Sequence, residues 1–228
     1  MAFFDRAAAA AILAAATATS AGAAYAADLS EGPVEQQVVY SPTPAISWTG
    51  FYAGINGGFG TGSAPASTGA AFNISPSGGF LGAQIGYNHN LTDNIVIGIE
   101  ADAQWANITG RNPTGGPANV TQTINWFGTV RGRLGYAMDT WLPYVTGGLA
   151  VAGATRTTDA GGGQSVGMTH TGYALGAGIE WAFAGDWTAK LEYQYLSLGA
   201  ATYVFSGVPD PSVSLTANTI RIGLSKHF

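Results

Sequence analysis

The chain has 228 residues, of which 46% are hydrophobic and only 9% are charged, and its formal net charge is −5. Typical soluble domains carry about a quarter charged residues, and a helical membrane protein would have a mean hydropathy far above the observed +0.16, so the composition disfavours both classes. The absence of cysteine excludes disulfides and thiolate metal sites, and the acidic balance gives no surface for nucleic acid.

The N-terminal region has the features of an export signal. Residues 1–26 form an alanine-rich segment that ends in an A-x-A-like cleavage site at 24–26, so we predict a cleaved signal peptide. A transmembrane anchor is disfavoured because Ile12 and Leu13 are the only strongly apolar residues in the run. Residues 27–47 contain three prolines and predict a flexible periplasmic lead-in.

From Trp48 to Phe228 the chain divides into alternating segments of the length that a tilted strand needs to cross a bilayer. In the third segment, apolar Ile97 and Ile99 alternate with Gly98 and Glu100, which is typical of a strand between two different media. We predict an all-β fold, an eight-stranded antiparallel up-and-down transmembrane barrel. Its strands are predicted at about 48–60, 78–90, 94–106, 121–136, 141–153, 169–183, 187–198 and 213–228.

The connections between these segments alternate in length, as they do in outer-membrane barrels. Three are short, NLTDN, AMDT and AGD, and four are long and rich in Gly, Thr, Pro and Ser: about 61–77, 107–120, 154–168 and 199–212. Because the strand number is even, both ends of the barrel domain return to the side of the short turns.

Aromatic residues fall near both ends of the predicted strands, where amphipathic rings favour the membrane interface. Those beside the short turns are Tyr87, Tyr136, Trp141, Trp181, Trp187 and Phe228, and those nearer the long loops are Phe59, Trp105, Trp126 and Tyr195. A soluble lipocalin-like barrel is the alternative, but it would leave the scarcity of surface charge unexplained.

Charged residues of the strands share the register that points inward. Four are basic (Arg131, Arg133, Lys190, Arg221) and four are acidic (Glu100, Asp102, Glu180, Glu192), so their sum is zero. Strand order places Glu100 and Asp102 beside Arg131 and Arg133, while Glu180 lies beside Lys190 and Glu192. Because buried charges persist only when they are paired, and eight strands leave little interior space, we predict a salt-bridged interior with waters rather than an open pore.

Other chemistry is weakly indicated. Glu100 and Asp102 share a face, as a general acid and base would, but the neighbouring arginines favour structural pairing. A gated ion path remains a further hypothesis. The GINGGFGTG run lacks the GK[ST] of a phosphate loop, and His89, His170 and His227 have no metal-binding spacing. No enzyme activity and no cofactor are predicted.

Six blocks carry a resemblance to a known family: WTGFYAGINGGFGTG, GFLGAQIGYNHNL, NWFGTVRGRLGYA, LPYVTGGLAVAG, TGYALGAGIEWAF and WTAKLEYQYLSLG. Together they resemble the small outer-membrane barrels of alphaproteobacterial major surface antigens, which are similar in fold to OmpA-like transmembrane domains. The resemblance covers about Trp48 to Phe228. It implies a porin-like or envelope-stabilising surface protein in the outer membrane of a Gram-negative bacterium.

The resemblance also implies that the terminal strand is the signal read by the barrel-assembly machinery. In this sequence that signal consists of the apolar register Ile220, Ile222 and Leu224 with the final Phe228. The family usually has an aromatic residue two positions before the end, where this chain has Lys226. By alternation Lys226 faces lipid, and near the interface its ammonium group can reach the headgroups.

We therefore predict an outer-membrane barrel with a salt-bridged interior that contributes to envelope integrity and surface interactions. A narrow porin-like channel for ions or small solutes is the alternative. The expected partners are outer-membrane lipids, the assembly machinery and an extracellular ligand at the long loops, where Tyr203 and Phe205 are the best candidates; nucleic acid is not expected.

Overall fold

The computed structural model describes residues 47–64, 74–112, 119–159, 163–201, 204–205, 208–209 and 213–228. Almost all of these residues lie in β-strands, and they include no helix long and apolar enough to cross a membrane. The predicted signal peptide (1–26) lies outside the described residues, as does the predicted lead-in (27–47) apart from Ser47. The strands are β1 Gly50–Ser63, β2 Ser77–Asn90, β3 Ile95–Arg111, β4 Val120–Tyr136, β5 Trp141–Thr158, β6 Gln164–Ala184, β7 Trp187–Ala201, β8 Val204–Phe205, β9 Val208–Pro209 and β10 Val213–His227.

Eight of the described strands close into a barrel in the order β1-β10-β7-β6-β5-β4-β3-β2. Every pair is antiparallel, and the seam between the first and last barrel strands runs from Tyr52↔His227 to Ser63↔Thr216. The short β8 and β9 pair only with each other. The predicted fold class is therefore confirmed, because neighbours along the chain are neighbours in the barrel and the ring of strands is closed.

The two ends of the barrel differ in their connections. Residues 91–94, 137–140 and 185–186 link strands at one end, where β1 begins and β10 ends. The tightest of these turns starts at Gly185, whose φ of +55° is a conformation that glycine adopts without steric cost. Short turns mark the periplasmic side of such barrels, so we call this the periplasmic end and the opposite one the extracellular end.

The outer face of the barrel is apolar between two levels of aromatic residues. All ten predicted interface aromatics point outward, and Trp105 is the most exposed of the tryptophans. Trp126 and Tyr136 lie ten residues apart on β4. At roughly 3.3 Å per residue and a tilt of about 40°, this separation corresponds to about 25 Å across the membrane, the height of the apolar band in outer-membrane barrels.

Several strands extend further toward the extracellular end than the sequence predicts. β3 continues to Arg111 and β5 to Thr158, and β6 begins already at Gln164. Six of the fifteen added residues are Thr, Ser or Asn, and the added segments carry no apolar outer register to reveal a membrane strand. The barrel wall therefore continues beyond the hydrocarbon layer.

Candidate functional site: the barrel interior

All eight charged residues that the sequence assigns to the interior are buried, and six of them form a central charge cluster near mid-height. Its members are Glu100 and Asp102 on β3, Arg131 on β4, Lys190 and Glu192 on β7, and Arg221 on β10. The side chains come from both sides of the lumen, because eight strands leave room for little more than the side chains themselves. The cluster therefore joins opposite walls of the barrel.

Arg131 is the centre of this cluster. Its Nη2 lies 2.6 Å from Glu100 Oε1 and 2.9 Å from Asp102 Oδ2 on the adjacent strand. Its Nη1 lies 2.6 Å from Glu192 Oε1, three strands away, and donates a hydrogen bond of 2.9 Å to Thr146. One guanidinium group thus contacts three carboxylates, since its donors point in fixed and divergent directions.

Lys190 and Arg221 complete the pairing of the central cluster. Lys190 Nζ lies 2.6 Å from Glu100 Oε2, and Arg221 contacts Asp102 Oδ2 at 3.2 Å and Glu192 Oε1 at 3.0 Å. The carboxylates of Glu100, Asp102 and Glu192 therefore each contact two cations. Glutamine and asparagine side chains extend the network, with Arg221 Nη2 donating to Gln194 at 2.5 Å and Gln84 donating to Ser225 at 2.8 Å.

A second group, the periplasmic cluster, contains Arg133, Glu180, Thr188 and His227. Arg133 forms an ion pair with Glu180, and Thr188 donates a hydrogen bond of 2.6 Å to the other oxygen of that carboxylate. His227 Nε2 lies 3.4 Å from the same oxygen. The ring of Trp48 stands edge-on to the imidazole of His227 and is buried at the periplasmic mouth, so the described chain closes this end around the cluster.

Two tyrosines connect the two clusters. The guanidinium group of Arg133 stacks on the ring of Tyr144, with Arg133 Cζ 3.8 Å from the ring centroid. The hydroxyl of Tyr144 donates a hydrogen bond of 2.8 Å to Glu192. Tyr52 likewise donates to Glu100 at 2.8 Å. A Cβ at Gly178 would come within 2.7 Å of the Tyr144 ring, so the glycine provides the space in which the ring lies. Neither tyrosine was among the predicted interior residues, although both lie in the inward register of their strands.

The partners of two charged residues differ from those that strand order predicts. Arg133 is paired across the sheet with Gly98, and its charge contacts Glu180 rather than Glu100 or Asp102. Lys190 lies beside Glu180 in register but reaches Glu100 on the far side. In a narrow barrel long side chains span the lumen, so adjacency in the sheet does not determine the pairs.

The interior changes character toward the extracellular end. Above the central cluster the lumen is filled by an apolar cluster. Its larger members are Ile74, Phe80, Ile108, Ile124, Phe127, Leu196, Leu198 and Leu215. Phe80 and Phe127 meet edge to face with centroids 5.2 Å apart. The prediction of a salt-bridged interior with waters did not include this apolar upper level.

Arg156 is a further buried cation in this upper region. Arg156 falls in the predicted loop 154–168, but β5 continues to Thr158 and turns its side chain inward. The described residues therefore place five Lys and Arg side chains against four carboxylates in the interior, not four against four. The predicted balance of zero counted only the predicted strands and so left out Arg156.

The remaining candidates lie elsewhere. The assembly-signal residues Ile220, Ile222, Leu224 and Phe228 are exposed on the outer face, as is Lys226, whose Nζ lies 5.8 Å from the Phe228 ring. Tyr203 is outside the described residues, and only the backbone of Phe205 is described. His170 is buried with Nδ1 2.9 Å from Gly199 O, and no metal-binding group of three or more side chains occurs in the described ranges.

Comparison with known proteins agrees with this architecture. Residues 7–228 match the model of the outer membrane protein beta-barrel domain. The chain belongs to this family. It is 34% identical over 208 residues to the 31 kDa outer-membrane immunogenic protein of Brucella melitensis, covering 82% of this chain and 87% of the relative. It is 33% identical to the 22 kDa outer membrane protein of Rhizobium leguminosarum, over 81% of this chain and 80% of that one.

Among solved structures, Neisserial surface protein A is similar with a TM-score of 0.46 and 14% identity, over 80% of this chain and 98% of that chain.

The family and the named relatives confirm the predicted family and the predicted location. The barrel lies in the outer membrane of a Gram-negative bacterium. Its extracellular end therefore faces the outer leaflet and the medium.

Proposed function

We propose that this outer-membrane barrel is a non-enzymatic structural protein of the cell envelope whose lumen is closed by its own side chains. The observation that carries the proposal is the set of contacts of Arg131, which ties β4 to acids on β3 and β7. Ion pairs across the lumen resist bending of the wall, and the apolar cluster above them excludes water from the same path.

Conductance in planar bilayers tests this proposal. Refolded protein is expected to give no steady openings, because side chains occupy the lumen at the periplasmic, central and upper levels. Steady openings whose amplitude changes in Arg131→Ala but not in Arg111→Ala would contradict it, since Arg111 is exposed at the end of β3. That result would instead support the alternative, a narrow channel past the polar side chains Asn56, Gln84 and Gln194, which line the lumen beside the cluster.

The relatives named above suggest where surface interactions occur. The 31 kDa Brucella protein is named as immunogenic, which fits a protein with parts exposed outside the cell. We propose the same exposure for the long connections here, with any extracellular ligand bound there. The lipids of the outer membrane contact the apolar outer face.

The terminal strand supports a proposal about assembly, namely that the barrel-assembly machinery reads its outward register. Phe228→Ala is expected to lower severalfold the amount of folded barrel in cell envelopes, measured as the gel band that shifts on boiling. Refolding of the purified variant in detergent should be unchanged. Phe183→Ala is the control, because Phe183 is also an exposed aromatic at the periplasmic end. Equal losses for both variants would contradict a signal specific to the terminus.

A further inference from the structure

The barrel is closed where it crosses the membrane, but its strands end at different heights beyond it. β6 pairs with β5 from its first residue, Gln164, onward. Its pairing with β7 starts only at Gly172↔Leu198. Among the described strands, the segment Ser165–Thr169 therefore has a neighbouring strand on one side only, and we call this segment the open edge.

The open edge lies outside the hydrocarbon layer. Tyr173 is the last outward aromatic residue of β6 toward the extracellular end, and its ring lies beside that of Tyr195 on β7. The outward positions beyond it hold small or polar side chains: Thr171, Thr169, Gly167 and Ser165. Acyl chains favour large apolar side chains, so lipid does not cover this part of the wall and the edge faces the medium.

The open edge lacks the features that usually protect an exposed strand. Natural proteins block such edges with charged residues, proline or a bulge. The sequence from 164 to 171, QSVGMTHT, contains no Lys, Arg, Asp, Glu or Pro, and its register with β5 runs on without a shift. Of the nearby described strands, β8 lies close to β6 but pairs only with β9. The backbone groups that point away from β5 can therefore pair with a further strand.

The side chains along the open edge indicate which kind of strand fits. Val166 and Met168 turn inward and pack, half-buried, against the apolar cluster of the upper lumen. The outward side chains of the same segment are small or polar. An added strand continues both faces, so its apolar side chains would lie beside Val166 and Met168 and its polar ones would face the medium. The fitting strand therefore alternates apolar and polar residues and needs no particular charge.

A second copy of the barrel in the same membrane cannot supply this strand. Two identical edges pair antiparallel through a two-fold axis perpendicular to the wall, and such an axis lies in the membrane plane and inverts the second barrel. Parallel pairing needs an axis along the strand, whose tilt of about 40° would tilt the second barrel by about 80°. A copy in an opposing membrane would need two outer leaflets pressed to within about 30 Å of each other. The geometry therefore favours a strand from a different protein.

We propose that the open edge binds an extended segment of another protein outside the cell, which adds to β6 as a further antiparallel strand. Backbone hydrogen bonds supply the affinity, and the alternation of apolar and polar side chains supplies the selectivity. The proposal rests on the proposed exposure of the extracellular end but not on the state of the lumen. The conductance test and the following experiments can therefore fail separately.

Amide hydrogen exchange of the refolded barrel in detergent micelles, followed by NMR, measures whether the edge is accessible. The N–H groups of an antiparallel strand alternate between its two sides, so every second amide from Ser165 to Thr169 should exchange at least roughly tenfold faster than its neighbours. Residues 174–178 of the same strand are the matched control, because they pair with both β5 and β7 and should all exchange slowly. Slow exchange throughout the open edge, or protection that grows with protein concentration, would overturn the proposal.

A peptide probe measures strand addition directly. An eight-residue peptide that alternates threonine and valine is expected to slow the fast amides of the open edge at least roughly fivefold, the ratio for about one backbone hydrogen bond. The same peptide methylated on its backbone nitrogens is the control, because it has no donors for pairing. No slowing by the first peptide, or equal slowing by both, would contradict strand addition.

A proline at the open edge provides the matched variant. Gly167→Pro or Met168→Pro, whichever replaces a fast amide, removes a donor of the edge and leaves the ladder with β5 intact. The chosen variant should lose most of the protection that the peptide gives. Gly167→Ala is its control, because a Cβ at this position meets no other atom within 4 Å. Heat-modifiable gel mobility verifies that both variants are folded, and equal protection in the two would overturn the proposal.

Discussion

Arg131→Met is expected to lower the free energy of unfolding by about 3–5 kcal/mol, the usual result of removing one partner from a buried ionic group. The substitution keeps much of the side-chain volume but leaves Glu100, Asp102 and Glu192 with one cation fewer at the centre of the lumen. Lys190 and Arg221 still contact these acids, but neither reaches all three. Urea unfolding in lipid vesicles, followed by tryptophan fluorescence, measures the change.

Arg111→Met is the control for this measurement. It removes the same charged group from an exposed position on the outer face, so its effect should stay within about 0.5 kcal/mol. If the two variants lose similar stability, the central cluster does not hold the barrel walls together. A loss confined to Arg131→Met would show that the folded barrel depends on Arg131 to compensate the carboxylates inside the lumen.

The ion pair in the periplasmic cluster should show strong coupling in a double-mutant cycle. Arg133→Met and Glu180→Gln each leave a buried charge without its partner, so each is expected to cost about 3 kcal/mol. The double variant should lose less than the sum of the two by about 1–3 kcal/mol, because neither charge then remains. The same urea unfolding measurement gives all the values.

Glu180→Gln combined with Arg111→Met provides the matched cycle. These residues share no contact that the structure records, so their effects should add to within about 0.5 kcal/mol. Additivity in the Arg133–Glu180 cycle as well would mean that the pair contributes nothing beyond the packing of its members against Tyr144, Thr188 and His227.

The sequence was sufficient to predict the eight membrane-crossing strands and the inward register of their eight charged residues, because a period of two relates neighbouring positions on a strand to opposite faces. Glu100 and Glu180 are inside for this reason alone. Their partners could not be predicted in the same way. Which side chains meet across a lumen depends on the stagger of the strands around the barrel and on the reach of flexible side chains, as Arg133 and Lys190 show.

The apolar upper level left a signal that the sequence analysis did not use. The inward positions of β7 change from Lys190 and Glu192 to Leu196 and Leu198 as the strand approaches the extracellular end. When the whole inward face of a strand is described as polar, this change from charged to apolar residues along the strand is lost. Arg156 was missed for a related reason, since its neighbours outside the membrane are threonines that resemble a loop.

The bulge at Asn125, where the register between β4 and β5 shifts between Ile124 and Trp126, was beyond prediction for a different reason. A single extra residue shifts the register of everything that follows, and the sequence TINWF contains neither Gly nor Pro to mark it. The position of Trp126 at the interface was nevertheless predicted correctly, because the residues on its C-terminal side keep an unbroken alternation.

The pairs across the lumen also impose a condition on how the chain becomes a barrel. Glu100 and Lys190 are 90 positions apart in sequence and meet across a lumen that is closed by the seam between β1 and β10. A seam displaced by two residues would preserve the inside and outside faces and nearly all backbone hydrogen bonds, so the backbone alone rejects such an error only weakly. It would, however, separate Arg221 from Asp102 and leave charges unmatched in the buried interior. The central charge cluster therefore raises the free energy of a barrel with a displaced seam relative to the correctly closed barrel. In this way it helps to select the correct seam during assembly.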